Sequence, residues 1–285
     1  MKFLLAITIT WMIFQSSTWV ANAIALDLAN PTAAKYTAFL TSIRDNVKGA
    51  GLAYGGTNIP VIAPPTDTFL RIDFTLATGT VSLCLKRSDL YVVGFVVKND
   101  KGKFRAYYFN GQIRPPQLDT IFPEAKGTAN QQIITEYAEN YASIESAAKV
   151  TRKAAGLGIG KLVTYLGAVN GKARKVQDEA KFMLVAIQMV SEAARFGYIQ
   201  NLVLQNFPNG FNPDDKVLIL ERNWNRISTA IKGSTRGAFS TTLVLSSPEV
   251  STTWAVNNAA ELNMGLLGNV NTALSESPLK EVQFI

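Results

Sequence analysis

The sequence predicts one α+β domain: an N-terminal mixed or antiparallel β-sheet, a helical middle built around one long buried helix, and a small C-terminal region. Three observations predict it. Residues 69–109 hold four short apolar or alternating runs, separated by turn-forming residues at hairpin spacing. From residue 117 onward, apolar residues recur at helical spacing instead. Residues 180–203, AKFMLVAIQMVSEAARFGYIQNLV, contain no Pro and a single Gly and are rich in helix formers.

Taken in order, residues 1–23 combine a basic start at Lys2, an apolar run and an Ala21-x-Ala23 ending, the pattern of a secretory signal peptide. That run, like every other in the chain, is too short to cross a membrane. A short strand at 24–28 follows. Asn30-Pro31-Thr32 then opens a helix to about Val47, with Tyr36, Phe39, Leu40 and Ile43 on one face. Residues 49–65, loaded with Gly and Pro, read as loop with one brief strand at 61–62. In 69–76, Leu70, Ile72, Phe74 and Leu76 alternate with Arg71, Asp73 and Thr75, as in a half-buried strand. Strands at 80–86, 90–98 and 104–109 follow, and the middle one is apolar on both faces, which places it centrally.

Helices are expected at 132–149 and 156–169, then the central helix after a charged patch at 172–175. Residues 206–215 are loop, 216–220 look extended, 224–232 form a short helix and 238–245 a strand. The domain is read as 24–270, and the aperiodic residues 271–285 as a C-terminal propeptide.

The chain contains no His and one Cys, Cys84, which excludes His-based triads, His-containing zinc sites and an internal disulfide. Any chemistry runs on carboxylates, Arg, Lys, Tyr or Trp. The net charge of +7 favours a polyanionic partner, RNA above all. At about 100° per residue, Gln188, Ser191, Glu192 and Arg195 form one polar stripe on the otherwise apolar central helix. A buried carboxylate and guanidinium must be paired, and Glu192 and Arg195 at i and i+3 can pair with each other. Such a pair is either a structural tie or the floor of a cleft.

Four segments, LYVVGF at 90–95, YAENYASIE at 137–145, AIQMVSEAARFGYI at 186–199 and NWNRISTAI at 223–231, carry a family likeness. In order and separation they resemble the active-site segments of the plant ribosome-inactivating proteins. The whole body is similar to the single-chain type 1 members of the dianthin and saporin kind and to the catalytic A chain of ricin. The resemblance implies an RNA N-glycosidase that removes one adenine from the sarcin–ricin loop of large-subunit ribosomal RNA, a plant defence toxin that inhibits translation.

By the same resemblance, Tyr91 and Tyr141 match the tyrosines that stack the adenine, Glu192 and Arg195 the catalytic pair, and Trp224 the tryptophan bordering the pocket. Gln188 is read as support for the charged pair, Ser191 as support or a small packing residue, and Glu221 as a reserve acid. No metal or cofactor is implied. The expected partners are the ribosome and its stalk proteins, met by a secreted or vacuolar monomer with no lectin chain and no membrane contact. Two departures stand out: Phe95 replaces a second Tyr, and Arg222 replaces an amide side chain beside Asn223-Trp224. The competing reading is a binding or storage protein of the same fold with a blunted site; a hydrolase of RNA phosphodiesters is disfavoured by the lack of His and of a metal cluster.

Overall fold

A computed structural model describes residues 23–47, 69–87, 89–233, 245–247 and 250–254. The alternation read in 69–76 becomes strand β2 (Phe69–Leu76), with Leu70, Ile72 and Phe74 buried. Strand β1 (Ile24–Asp27) runs parallel to it on one side. On the other side β3 (Gly79–Lys86), β4 (Val92–Lys98) and β5 (Phe104–Tyr108) form an antiparallel meander, and β6 (Gln131–Ile133) closes the order β1-β2-β3-β4-β5-β6 parallel to β5. The sheet is mixed, and β4 is interior, as its two apolar faces require.

Register puts Ile72, Leu83, Phe95 and Tyr107 in one row across four strands. That row faces helix α6 (Val176–Ile187), with the Phe95 ring edge-on to Phe182 at 5.6 Å. On the opposite face Cys84, Val93, Val96 and Ala106 pack with Leu118 of α2 (Pro115–Ile121) and with Phe122. Helix α1 (Ala33–Val47) buries Tyr36, Phe39, Leu40 and Ile43, the face read from sequence. Helices α3 (Tyr141–Ala148), α4 (Arg152–Ala155) and α5 (Ile159–Val169) surround α6, which is buried from Phe182 to its end.

Three expectations are corrected. The central helix is not continuous over 180–203: α6 passes into a π-helical turn (Gln188–Glu192) and the short α7 (Ala193–Arg195), and Phe196 then adopts φ −124°, ψ 112° before α8 (Gly197–Gln205). Continuing the helix would require the Ala193 and Ala194 carbonyls to accept from the next turn. Arg44 of α1 takes both instead, through Nη2 at 2.8 Å and Nε at 3.1 Å, so a tertiary contact overrides a favourable local propensity.

The helix expected over 132–149 forms only from Tyr141, because Asn140 caps it by accepting from the Ser143 amide at 2.9 Å, while 131–133 pair with β5. Residues 216–220 are not extended. They open α9 (Asp215–Gly233), capped by Asp214, whose Oδ1 accepts from the Val217 amide at 2.9 Å, and burial of Val217, Leu218, Ile219 and Leu220 explains their uninterrupted apolar run.

A two-stranded unit, β7 (Leu245–Ser247) with β8 (Val250–Trp254), supplies the small C-terminal region. The signal peptide (Ala23 apart), the loop at 49–65, the strand at 238–245 save Leu245, and the propeptide all lie outside the described residues. Among the described residues no helix is long and apolar enough to cross a membrane.

Candidate active site

The polar stripe of the central helix meets the ends of three other segments at the π-helical turn. A π-turn widens the helix by one residue and recurs at functional sites. Here the Met189 carbonyl accepts from the buried Tyr36 hydroxyl at 2.7 Å, so α1 fastens the back of the turn. On its front, Arg195 Nη1 donates to Glu192 Oε1 at 2.8 Å, and the Tyr141 hydroxyl donates to the same oxygen at 3.1 Å.

The turn between β3 and β4 supplies the opposite wall. Leu90 has φ 62°, a conformation costly for a Leu, and is held there by its amide on Lys86 O and by Lys86 N on Tyr91 O, each 2.8 Å. This bend aims two carbonyls at the helix: Asp89 O accepts from Arg195 Nη2 at 2.6 Å and Leu90 O from Ser191 Oγ at 2.7 Å. Ser191 is therefore a tether between sheet and helix.

Helix α9 closes the arrangement. Glu221 Oε1 accepts from Gln188 Nε2 at 2.6 Å and its Oε2 from Arg152 Nη1 at 2.8 Å. One turn on, Trp224 presents its ring to the Arg195 guanidinium at 4.4 Å. Arg152, 1% exposed, also donates from Nε to Glu145 at 2.9 Å and lies 3.9 Å over the Tyr141 ring, fixing its plane.

Two polar atoms on this floor are buried without a hydrogen-bond partner, Glu192 Oε2 and Arg195 Nε. In a protein interior such atoms are rare, and strain, a catalytic role or a bound water or ion accounts for them; Gln188 Oε1, behind the floor, has the same status. Glu192 and Arg195 line a cavity of about 210 Å³, with Tyr91, Tyr141, Ile187 and Trp224 among its walls. The ion pair is thus the floor of a cleft.

Burial raises the Glu192 carboxyl above the usual carboxylate range, opposed by Arg195, Tyr141 and Arg152. Burial and the neighbouring Glu192 charge push Glu221 up to about 8, against Arg152 and Gln188. Burial also raises the Tyr91 and Tyr141 hydroxyls, so both remain protonated donors at neutral pH.

A carboxyl whose folded value lies above its unfolded value of about 4.3 binds more protons when folded. Stability is therefore greatest below that value and falls as pH rises toward about 8. Melting temperature is expected to decline over this window and to decline less in Glu221→Gln; equal slopes in the two proteins would remove Glu221 from the account.

All eight residues singled out from sequence converge here: Tyr91, Tyr141, Ser191, Glu192, Arg195, Glu221 and Trp224 line the cavity, and Gln188 holds Glu221 from behind. Phe95 does not reach it. Its ring stacks on Tyr107 at 4.9 Å inside the sheet–helix core, so the missing hydroxyl has no bearing on the cleft. Arg222 lies exposed on the rim. Sequence reasoning missed Arg152, which reads as one of a solvated Thr-Arg-Lys run, the two carbonyls of the 89–90 bend, and Tyr36 and Arg44 behind the turn. An Arg beside a helix-capping Thr was the only local trace of the first. Among the described residues no cluster of His, Cys, Asp and Glu could hold a metal ion.

A family model described as "Ribosome inactivating protein" matches residues 31–232. The chain is 47% identical to the rRNA N-glycosylase sapovaccarin-S2 of Gypsophila vaccaria, over 86% of this chain and 96% of that protein. It is 53% identical to the ribosome-inactivating protein saporin-3 of Saponaria officinalis, over 65% of this chain and 80% of that protein. Among solved structures it resembles saporin-L1 in complex with a cyclic tetranucleotide inhibitor, a transition state analogue, with a TM-score of 0.77 and 48% identity, over 85% of this chain and 96% of that one.

Proposed function

The chain belongs to the ribosome-inactivating protein family, and from that membership together with the cleft geometry we propose that it is an rRNA N-glycosylase. Its substrate is one adenine of the sarcin–ricin loop in the large ribosomal subunit. The observation that carries this reading is the pair of unpartnered atoms, Glu192 Oε2 and Arg195 Nε, on the floor of a slot walled by Tyr91, Tyr141 and Trp224.

A base must leave the RNA stack before its glycosidic bond is accessible, and aromatic faces hold it outside at about 1–3 kcal/mol per base. Tyr91 and Tyr141 provide those faces. Breaking the bond between ribose C1′ and the purine nitrogen sends the electron pair into the base and leaves positive charge on the sugar. The Glu192 carboxylate stabilises that charge and orients a water toward C1′, while Arg195 hydrogen-bonds the purine ring as it gains electron density. The water's oxygen bonds to C1′ as the bond to the purine nitrogen breaks, its proton passes to Glu192, and the departing purine takes up one proton from solvent while Glu192 later returns its own, so that neutral adenine is released. Arg195 acts as a donor, because a guanidinium gives up its proton reluctantly.

Adenine release from ribosomes, with rRNA that breaks only after aniline treatment, is the expected result. Neither signal would point to the binding or storage reading, and strand scission without aniline to a phosphodiesterase. Tyr141→Phe keeps the stacking ring but removes the hydrogen bond to Glu192, a contact worth about 1.5–3 kcal/mol for a charged acceptor. It is expected to lower kcat by at least about tenfold with little change in KM. Tyr91→Ala, which removes a wall, is expected to raise KM as well, and steady-state depurination kinetics separate the two.

The same proposal takes the chain to be exported through its 1–23 signal peptide to the apoplast or vacuole, trimmed of 271–285, and active as a monomer without a lectin chain, with ribosomal stalk proteins as further contacts. Mass spectrometry of the mature termini checks the processing.

A further inference from the structure

Far from the cleft, the fold gathers basic residues that lie in two separate stretches of sequence. The Gly171 amide donates to Lys98 O at 2.8 Å, and Asn99 bridges Lys172, so the loop between α5 and α6 docks on the turn between β4 and β5. That turn is itself ordered, with Asn99 Oδ1 accepting from the Lys101 and Lys103 amides at 3.0 and 2.9 Å. Lys101, Lys103, Lys172 and Lys175 are exposed, and half-buried Arg105 lines a shallow depression of about 20 Å³ with Lys172 and Lys175.

The acids nearby do not neutralise this surface. Glu136 and the buried Glu179 are taken up by Arg174, at 2.8 and 3.3 Å, leaving Asp100 and Asp178 against those five cations. From this end of α6 to Glu192 the helix rises about 24 Å, so the surface cannot belong to the adenine pocket.

We infer that this surface, formed by the β4–β5 turn and the α5–α6 loop, binds the phosphodiester backbone of structured RNA at a distance from the cleft. Charge complementarity is the first reason. The second is what the surface lacks. Its two aromatics are covered, Tyr107 under Arg174 and half-buried Phe104 under Lys98, and the exposed large apolar side chain among the described residues, Ile133, belongs to β6, so an acidic peptide would find no fully exposed apolar anchor here. A phosphate row requires only cations. The choice of RNA as polyanion rests on the activity proposed above; the binding itself does not.

The test is a salt titration of binding to an adenine-free RNA duplex by fluorescence anisotropy, comparing the wild type with the double substitution Lys172→Glu, Lys175→Glu. Each lost phosphate contact flattens the slope of log K against log salt by about 0.7–0.9, so the double variant is expected to lose about 1.5 in slope and at least tenfold in affinity at low salt. Its KM for ribosomes is expected to rise with kcat unchanged, and its rate on a short stem-loop to stay at the wild-type value. Lys172→Gln, Lys175→Gln repeats the loss without reversed charge and guards against misfolding. Unchanged duplex affinity and slope would overturn the inference, as would a loss confined to acidic ribosomal peptides. Should the wild type release no adenine, the catalytic reading fails while the duplex titration still judges the surface.

Discussion

Glu192→Gln is expected to lower the rate of adenine release by about 10²–10³-fold while the protein remains folded. The substitution keeps the volume and leaves an amide oxygen able to accept from Arg195 Nη1 and the Tyr141 hydroxyl, as Oε1 does now. What disappears is the negative charge of the carboxylate, whose Oε2 is buried without a partner on the residue that lines the cleft. A cationic sugar forming there then meets a neutral dipole instead of a carboxylate. Residual activity is expected, because Glu221, relieved of the neighbouring charge that helps raise it, ionises more readily and returns a carboxylate to the same interior. Single-turnover adenine release decides the matter, with a melting curve alongside. A rate within twofold of wild type would show that Glu192 plays no part in the chemistry.

Arg152→Met is expected to produce the largest loss of stability, about 3–5 kcal/mol, the usual consequence of breaking a buried charge pair from one side. Arg152 holds Glu221 and Glu145 together and lies over the Tyr141 ring, all from a position 1% exposed. Met restores much of the volume and none of the charge. Glu221 is then left beside Glu192 without its guanidinium, and its carboxyl rises further above about 8, so above that pH the variant's folded state keeps a proton that the wild type releases. The destabilisation must therefore grow as pH rises. Urea unfolding at about pH 7 and about pH 9, on either side of the pH at which the wild-type Glu221 ionises, is expected to give the smaller loss at the lower pH. Equal losses at both would mean that packing on Tyr141, not the carboxylates, is the main function of Arg152. Loss of the Tyr141 platform is also expected to raise KM.

Much of the sheet was legible because strand patterns are local. Leu70, Ile72 and Phe74 alternate with polar residues, and the doubly apolar β4 could only be interior. Helix ends were less legible. Asn140 and Asp214 are ordinary capping residues, yet the runs beside them carry stronger apparent signals, a helical spacing extending back to residue 132 and a strand-like Val-Leu-Ile-Leu. Phe196 breaks the helix beside Gly197, a weak local signal in an otherwise helix-favouring run, and Arg44, some 150 residues earlier, takes the carbonyls that continuation would use. The cleft divides along the same line. Glu192 and Arg195 face together because three residues are nearly one helical turn, whereas the carbonyls of Asp89 and Leu90 contribute through backbone, which residue type does not encode.

Taken alone, the sequence determined the strand alternation, the polar stripe on an apolar helix, the exclusion of histidine chemistry and the four motifs of the family. Those properties follow from residue type and from backbone periodicities of a few residues. Only the tertiary structure decided that the ion pair opens onto a cavity, that Glu221 sits at about 8, that Arg152 orders Tyr141, and that scattered lysines share one surface. Desolvation and Coulomb forces act through space, and which groups become neighbours is settled by how distant segments pack.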